Sequence, residues 1–125
     1  MFTVKIRDHF MIAHSLAKKA FGSAQRILGT TYIVDAEFKS KDLDENNMVI
    51  DMTAAANLLK SILEPIDRKD LDEMHIFNDK LTTTEYMAYF IHQEIAKTLA
   101  STFTGSLKIT LGESPISWAS YEEKI

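Results

Sequence analysis

Apolar and polar residues alternate from the start of the chain: Phe2, Val4 and Ile6, then Phe10 and Ile12, are separated by Thr3, Lys5, Arg7 and His9. A period of two is that of a half-buried strand, so this stretch predicts a first strand with one face inward. His14 shares the parity of Phe10 and Ile12 and is expected on the inner face, with His9 on the other, unless a bulge near Asp8 changes the register. A polar connection around 18–23 leads to a second alternation, Thr30, Tyr32, Val34, Ala36 and Phe38, opposed by Asp35, Glu37 and Lys39. It reads as an antiparallel partner of the first strand.

Residues 40–47 are polar and acidic and read as a loop. Asp51 can then cap a helix that carries Ala55, Leu58, Leu59 and Ile62 on one face before Pro65 stops it. A charged connection over 67–79 precedes Thr82-Thr83-Thr84-Glu85, whose spacing is that of a capping box opening at Thr82. Met87, Ile91, Ile95 and Leu99 follow at intervals of four in a longer helix. Gly105 provides the exit. Leu107, Ile109 and Leu111 alternate with Lys108 and Thr110, and after a turn at 112–115 a last short strand carries Trp118 and Tyr121. The order ββααββ, without internal repeats or low-complexity segments, predicts a single α+β domain over residues 1–125. Its simplest arrangement is a four-stranded antiparallel sheet with two helices on one face, and its two open edges invite pairing with other copies.

Composition narrows the function. The 125 residues are 46% hydrophobic, with four Gly and two Pro, as in ordinary compact proteins. Lys plus Arg number 14 against 18 Asp plus Glu, a net charge of -4, and no dense basic run compensates locally, so a nucleic-acid partner is not expected. The longest apolar run, 86–91, is far short of the roughly 20 residues of a membrane span, and the charged residues Lys5, Arg7 and Asp8 leave no apolar core for a secretory signal. No membrane partner is expected, and the expected location is cytoplasmic. The absence of cysteine rules out disulfides and thiolate chemistry.

Several pieces of the chain, in order, carry a resemblance: Phe10-Met11-Ile12-Ala13-His14, then Gly29 and Tyr32, Met48-Val49-Ile50-Asp51, Thr83 to Glu85, and Glu113. Together they resemble the 6-pyruvoyltetrahydropterin synthase and 6-carboxytetrahydropterin synthase family across nearly the whole chain. The resemblance implies the tunnelling fold, in which identical subunits join their sheets into an oligomeric barrel, usually a hexamer built as a dimer of trimers. It also implies a zinc ion held by three histidines, one in the first-strand motif and two from a His-Gly-His segment that begins the second strand.

Here the first of those positions is His14, but the segment reads Leu28-Gly29-Thr30, and neither leucine nor threonine is a reasonable zinc ligand. The family's catalytic cysteine falls at Ala24, followed by Gln25. A further family histidine, in an Asp-His pair leading to an Asn, falls at Met74, with His75 one residue away. The expectation is therefore that zinc is absent, since both the metal that would acidify neighbouring protons and the base that would collect them are missing. An alternative zinc site would require His9, His75 or His92 to reach His14.

What the resemblance implies is retained is recognition. The family glutamate matching Glu113 accepts hydrogen bonds from the ring N–H and exocyclic amine of a pterin, an edge that a carboxylate suits with two parallel bonds. On this reading Glu113, Thr83 and His14 bind the substrate, and Lys18, Lys19 and Arg26 meet a phosphate. The bland alternatives are a solvated strand-end carboxylate for Glu113, a hydrogen-bonded core histidine for His14, solvated His75 and His92, and a plain helix cap for Glu85. Three functions stay open: a pterin-binding homologue whose zinc-dependent chemistry is lost or altered; a metal-free pterin-processing enzyme with His14 or His75 as proton carrier; and an oligomeric interaction protein with no small-molecule role.

Overall fold

The computed structural model describes residues 1–16, 22 and 26–125. Two 13-residue strands, β1 (Phe2–His14) and β2 (Leu28–Ser40), pair antiparallel in an unbroken register from Phe2 opposite Ser40 to His14 opposite Leu28. No bulge interrupts β1 at Asp8, so the alternation holds to its end. Phe10, Ile12, Tyr32, Val34, Ala36 and Phe38 are buried on the inner face together with His14. On the outer face Arg7 meets Asp35 directly across the pair in a bidentate contact, Nε–Oδ1 2.7 Å and Nη2–Oδ2 3.0 Å.

Helix α1 (Met52–Leu63) starts at Asp51, whose carboxylate accepts from the backbone N–H groups of Thr53 and Ala54. It buries Ala55, Leu59 and Leu63, while Leu58 and Ile62 pack at the margin of the core. The chain then reverses at Arg68, whose backbone is in the left-handed region (φ 62°). The Arg68 N–H donates to the Met11 carbonyl, and the Asp67 carboxylate accepts from the Met11 N–H. These bonds lay a two-residue strand, β3 (Lys69–Asp70), parallel to Ile12 and Ala13 of β1.

Two single-turn 3₁₀ helices, Leu71–Glu73 and His75–Phe77, lead to α2 (Thr84–Leu99), which buries Met87, Ala88, Ile91, His92 and Ile95. Strand β4 (Ser106–Ser114) pairs with β2 and turns its Leu107, Ile109 and Leu111 inward. β5 (Ser117–Lys124) completes the sheet, in the order β3-β1-β2-β4-β5.

The expected α+β arrangement of helices packed on a sheet is present, with one correction. The sheet has five strands and is mixed, because β3 runs parallel to β1. Two residues are too few for any hydrophobic period to register, and β3 is held by backbone bonds from the loop. A second correction concerns His92, expected to be solvated. It is fully buried, with Nε2 3.3 Å from the Glu123 carbonyl and its ring edge-on to Tyr121, so it ties α2 to β5. No helix among the described residues is long and apolar enough to cross a membrane.

Candidate functional site

The three threonines at the mouth of α2 organise one end of the sheet. Thr82 is buried, and its Oγ1 lies 2.9 Å from Nδ1 of His14, also buried, at the end of β1. Thr83 is the helix cap, its hydroxyl accepting from the Tyr86 N–H at 3.1 Å. Thr84 Oγ1 stands 3.5 Å from the Tyr32 hydroxyl on β2. The expected capping box opening at Thr82 is therefore not formed: the cap lies one residue later, the third residue beyond it is Tyr86, and Glu85 is left exposed in the first turn. Thr82 is drawn inward, where its hydroxyl partners the buried imidazole.

Burial dominates the protonation of His14 and lowers its pKa, against the opposing pull of Asp72, the Thr82 backbone, Glu113 and Asp70. Next to it Ser15 donates from Oγ to Asp72 Oδ2 at 2.7 Å and from its N–H to Oδ1 at 3.2 Å, which fixes the end of β1 to the first 3₁₀ turn. Burial likewise raises the Tyr32 pKa, with Glu113 and Glu85 adding to the rise and the bond to Thr84 opposing it. The imidazole and the phenol are thus both held uncharged near neutral pH, with carboxylates around them.

Glu113 sits where the β4–β5 pairing slips, between Gly112 opposite Trp118 and Ser114 opposite Ser117. The irregularity frees its carboxylate, which is exposed and borders two openings. One, of about 120 Å³, lies towards α2 and is shared with Thr84, Glu85, Ser117, Trp118 and Ala119. The other, of about 400 Å³, lies towards the outer face, and Arg7, Ile33, Gly112 and Trp118 are among its walls. Thr83, expected to line the pocket or to begin the helix, is its cap, and Glu85, expected in the cap, borders the smaller opening beside Glu113.

The remaining expected site residues are dispersed. His75 is exposed, with Nδ1 2.9 Å from Asn78 Nδ2, and it borders neither opening. Arg26 is exposed just before β2. Lys18 and Lys19, like Ala24 and Gln25 at the place of the expected cysteine, lie outside the described residues.

The scaffold on which three ligands would converge is intact. Leu28 is directly opposite His14, and Thr30, two residues on, shares its face. These side chains do not fit a zinc ion: one imidazole remains, opposed by an aliphatic chain and a hydroxyl. Among the described residues no three His, Cys, Asp or Glu side chains gather elsewhere.

Over residues 3–124 the sequence matches the family model described as 6-pyruvoyl tetrahydropterin synthase. The chain belongs to that family. Its fold is similar to that of the 6-pyruvoyl tetrahydropterin synthase of Caenorhabditis elegans, with a TM-score of 0.84 and 20% identity over 98% of this chain and 95% of that one. The Plasmodium vivax enzyme gives 0.77 and 15% identity with both chains fully covered. That of Plasmodium falciparum gives 0.75 and 16%, covering 98% of this chain and 99% of the other. No curated protein matches the sequence. At these identities the structural likeness carries the fold, and residue roles rest on the chemistry of the side chains present.

Proposed function

We propose that this family member binds a pterin-type heterocycle through Glu113 and that the zinc-dependent synthase chemistry has been lost or altered. The observation that carries the reading is a contrast within one end of the sheet. A free carboxylate borders a cavity beside Glu85, while Leu28 and Thr30 stand where His14 would need two further imidazoles. A carboxylate offers two acceptors in one plane, matched to a ring N–H and a neighbouring amine, and charge assistance makes such bonds stronger than neutral ones.

The binding unit in this reading is a homo-oligomer, a hexamer as a dimer of trimers. In its support, among the described residues β5 is an open edge and β3 covers only a short part of the other.

Fluorescence titration with pterin, together with metal analysis of the same sample, tests the reading. Saturable binding is expected, weakened by about tenfold or more in Glu113→Gln, which forfeits the charge-assisted bonds, with zinc well below one ion per chain. About one tightly held zinc per chain with synthase turnover overturns the loss of chemistry; absence of binding overturns recognition. A second reading, acid/base chemistry without metal, is favoured by one observation, the uncharged His14 imidazole fixed by Thr82. Chelator-insensitive turnover of a pterin that disappears in His14→Ala would select it.

A further inference from the structure

On the helix-side face of β2 a row of side chains leads from the core to the end of the sheet: Tyr32 is buried, Thr30 is half-buried and Leu28 is exposed. At about 3.3 Å per residue, the row from Tyr32 to Leu28 covers roughly 13 Å. Glu113 belongs to the same neighbourhood, because its charge acts on both Tyr32 and His14. β2 has a neighbour on each side, so pairing at the edges of the sheet leaves this row in place. A flat ring whose edge is held at Glu113 and whose long axis follows the row turns its far substituent to Thr30 and Leu28.

Charge at this end of the sheet is one-sided. Asp72, Glu113 and Asp70 act on His14, and Glu113 and Glu85 act on Tyr32. The bonds the two aspartates accept come from neutral groups, the Ser15 hydroxyl for Asp72 and the Asp72 N–H for Asp70, and leave their charge uncancelled. Among the described residues none of these four carboxylates stands in an ion pair with Lys or Arg. Burial lowers the His14 pKa, so the imidazole does not supply the opposing charge near neutral pH. A phosphate or carboxylate brought here would meet like charges on one side and an aliphatic side chain on the other.

We infer that the heterocycle held by Glu113 bears a short uncharged substituent and that Leu28 is the residue that selects it. This inference rests on the pterin-binding reading and adds to it the class of ligand. Glu113 reads the edge that pterins share and so does not tell them apart. Leu28 discriminates in two ways, by apolar contact with a neutral substituent and by giving an anionic one no partner.

6-Methylpterin and 6-carboxypterin share the ring edge and differ in the charge of one small group, which makes the pair a direct probe. In equilibrium dialysis at neutral pH the wild type should hold 6-methylpterin about tenfold or more tighter than 6-carboxypterin or neopterin triphosphate, the effect of like charges brought together. Leu28→Lys, which puts an ammonium at an exposed strand end, should strengthen 6-carboxypterin binding by about tenfold. Leu28→Asn, uncharged and of similar size, should weaken 6-methylpterin and leave 6-carboxypterin nearly unchanged. Circular dichroism of both variants should match the wild type. An equal or reversed preference in the wild type, with Glu113→Gln still weakening 6-methylpterin, overturns this inference and leaves the binding reading intact. Loss of a reversed preference on substituting Lys18, Lys19 or Arg26 would then establish the phosphate contact expected from the sequence. A preference that persists unchanged in both folded Leu28 variants removes Leu28 as the selector. If the wild type binds no pterin at all, both readings fail.

Discussion

Thr82, Thr83 and Thr84 carry the same hydroxyl, and each has a different partner: an imidazole, a helix N–H and a phenol. The bond from Thr82 is the most consequential, because His14 is buried and its Nδ1 has nothing else to turn to. Thr82→Val keeps the shape and removes the hydroxyl, and we expect it to lower unfolding free energy in urea by about 1–3 kcal/mol, the usual penalty for orphaning a buried polar group. An unchanged midpoint would mean that water replaces the hydroxyl. The pH dependence has a definite sign. The folded pKa of His14 is below its unfolded value of about 6.5, so above that pH both states are neutral and the contribution is fully present. As the pH falls below about 6.5 the unfolded chain takes up the proton first, and stability declines towards the lower folded value. The melting temperature should fall over this window in the wild type and fall less steeply in His14→Gln. The parity of His14 was legible in the sequence, because a period of two carries along an unbroken strand. Its partner was not, since the bond joins residues 68 apart in the chain and depends on where α2 begins.

Helix α2 displays how an element can be read correctly and its boundary missed by one residue. Its apolar repeat located the buried face, because Met87, Ile91 and Ile95 fall on one stripe at helical spacing. The spacing from Thr82 to Glu85 made Thr82 the expected cap. Tertiary demand decided otherwise by claiming Thr82 for His14, and the cap passed to Thr83. Two substitutions separate the possibilities. Thr83→Ala should cost about 1 kcal/mol of stability through loss of the bond to the Tyr86 N–H. Glu85→Gln should change it by no more than about 0.5 kcal/mol, the remaining interaction of a first-turn carboxylate with the helix dipole. A loss in Glu85→Gln equal to that in Thr83→Ala would restore the reciprocal cap. Strands β1, β2 and β4 were likewise legible, each long enough to show alternation. β3 was not, because the bonds that create it run from the backbone of Arg68 and the carboxylate of Asp67 to Met11, and such bonds leave no periodic trace.

At the scale of the whole molecule, Met11, Ile33 and Trp118 are exposed on the outer sheet face, and a sheet with the helices on its other side has no layer of its own among the described residues to cover them. Among the described residues both edges offer backbone groups as well: β5 has no outer neighbour, and β3 spans only Ile12 and Ala13 of the 13 residues of β1. In the assembly proposed above, edge pairing would satisfy these backbone groups and the outer faces would turn to a common interior. Sedimentation at micromolar concentration should give a mass several times 14.2 kDa. Because no metal holds the subunits in this account, a chelator should leave that mass unchanged. A single chain at the expected monomer mass would mean that the open edges and the apolar outer face are tolerated in water. Dissociation on chelation would mean that a metal, bound by groups other than His14, Leu28 and Thr30, is part of the assembly.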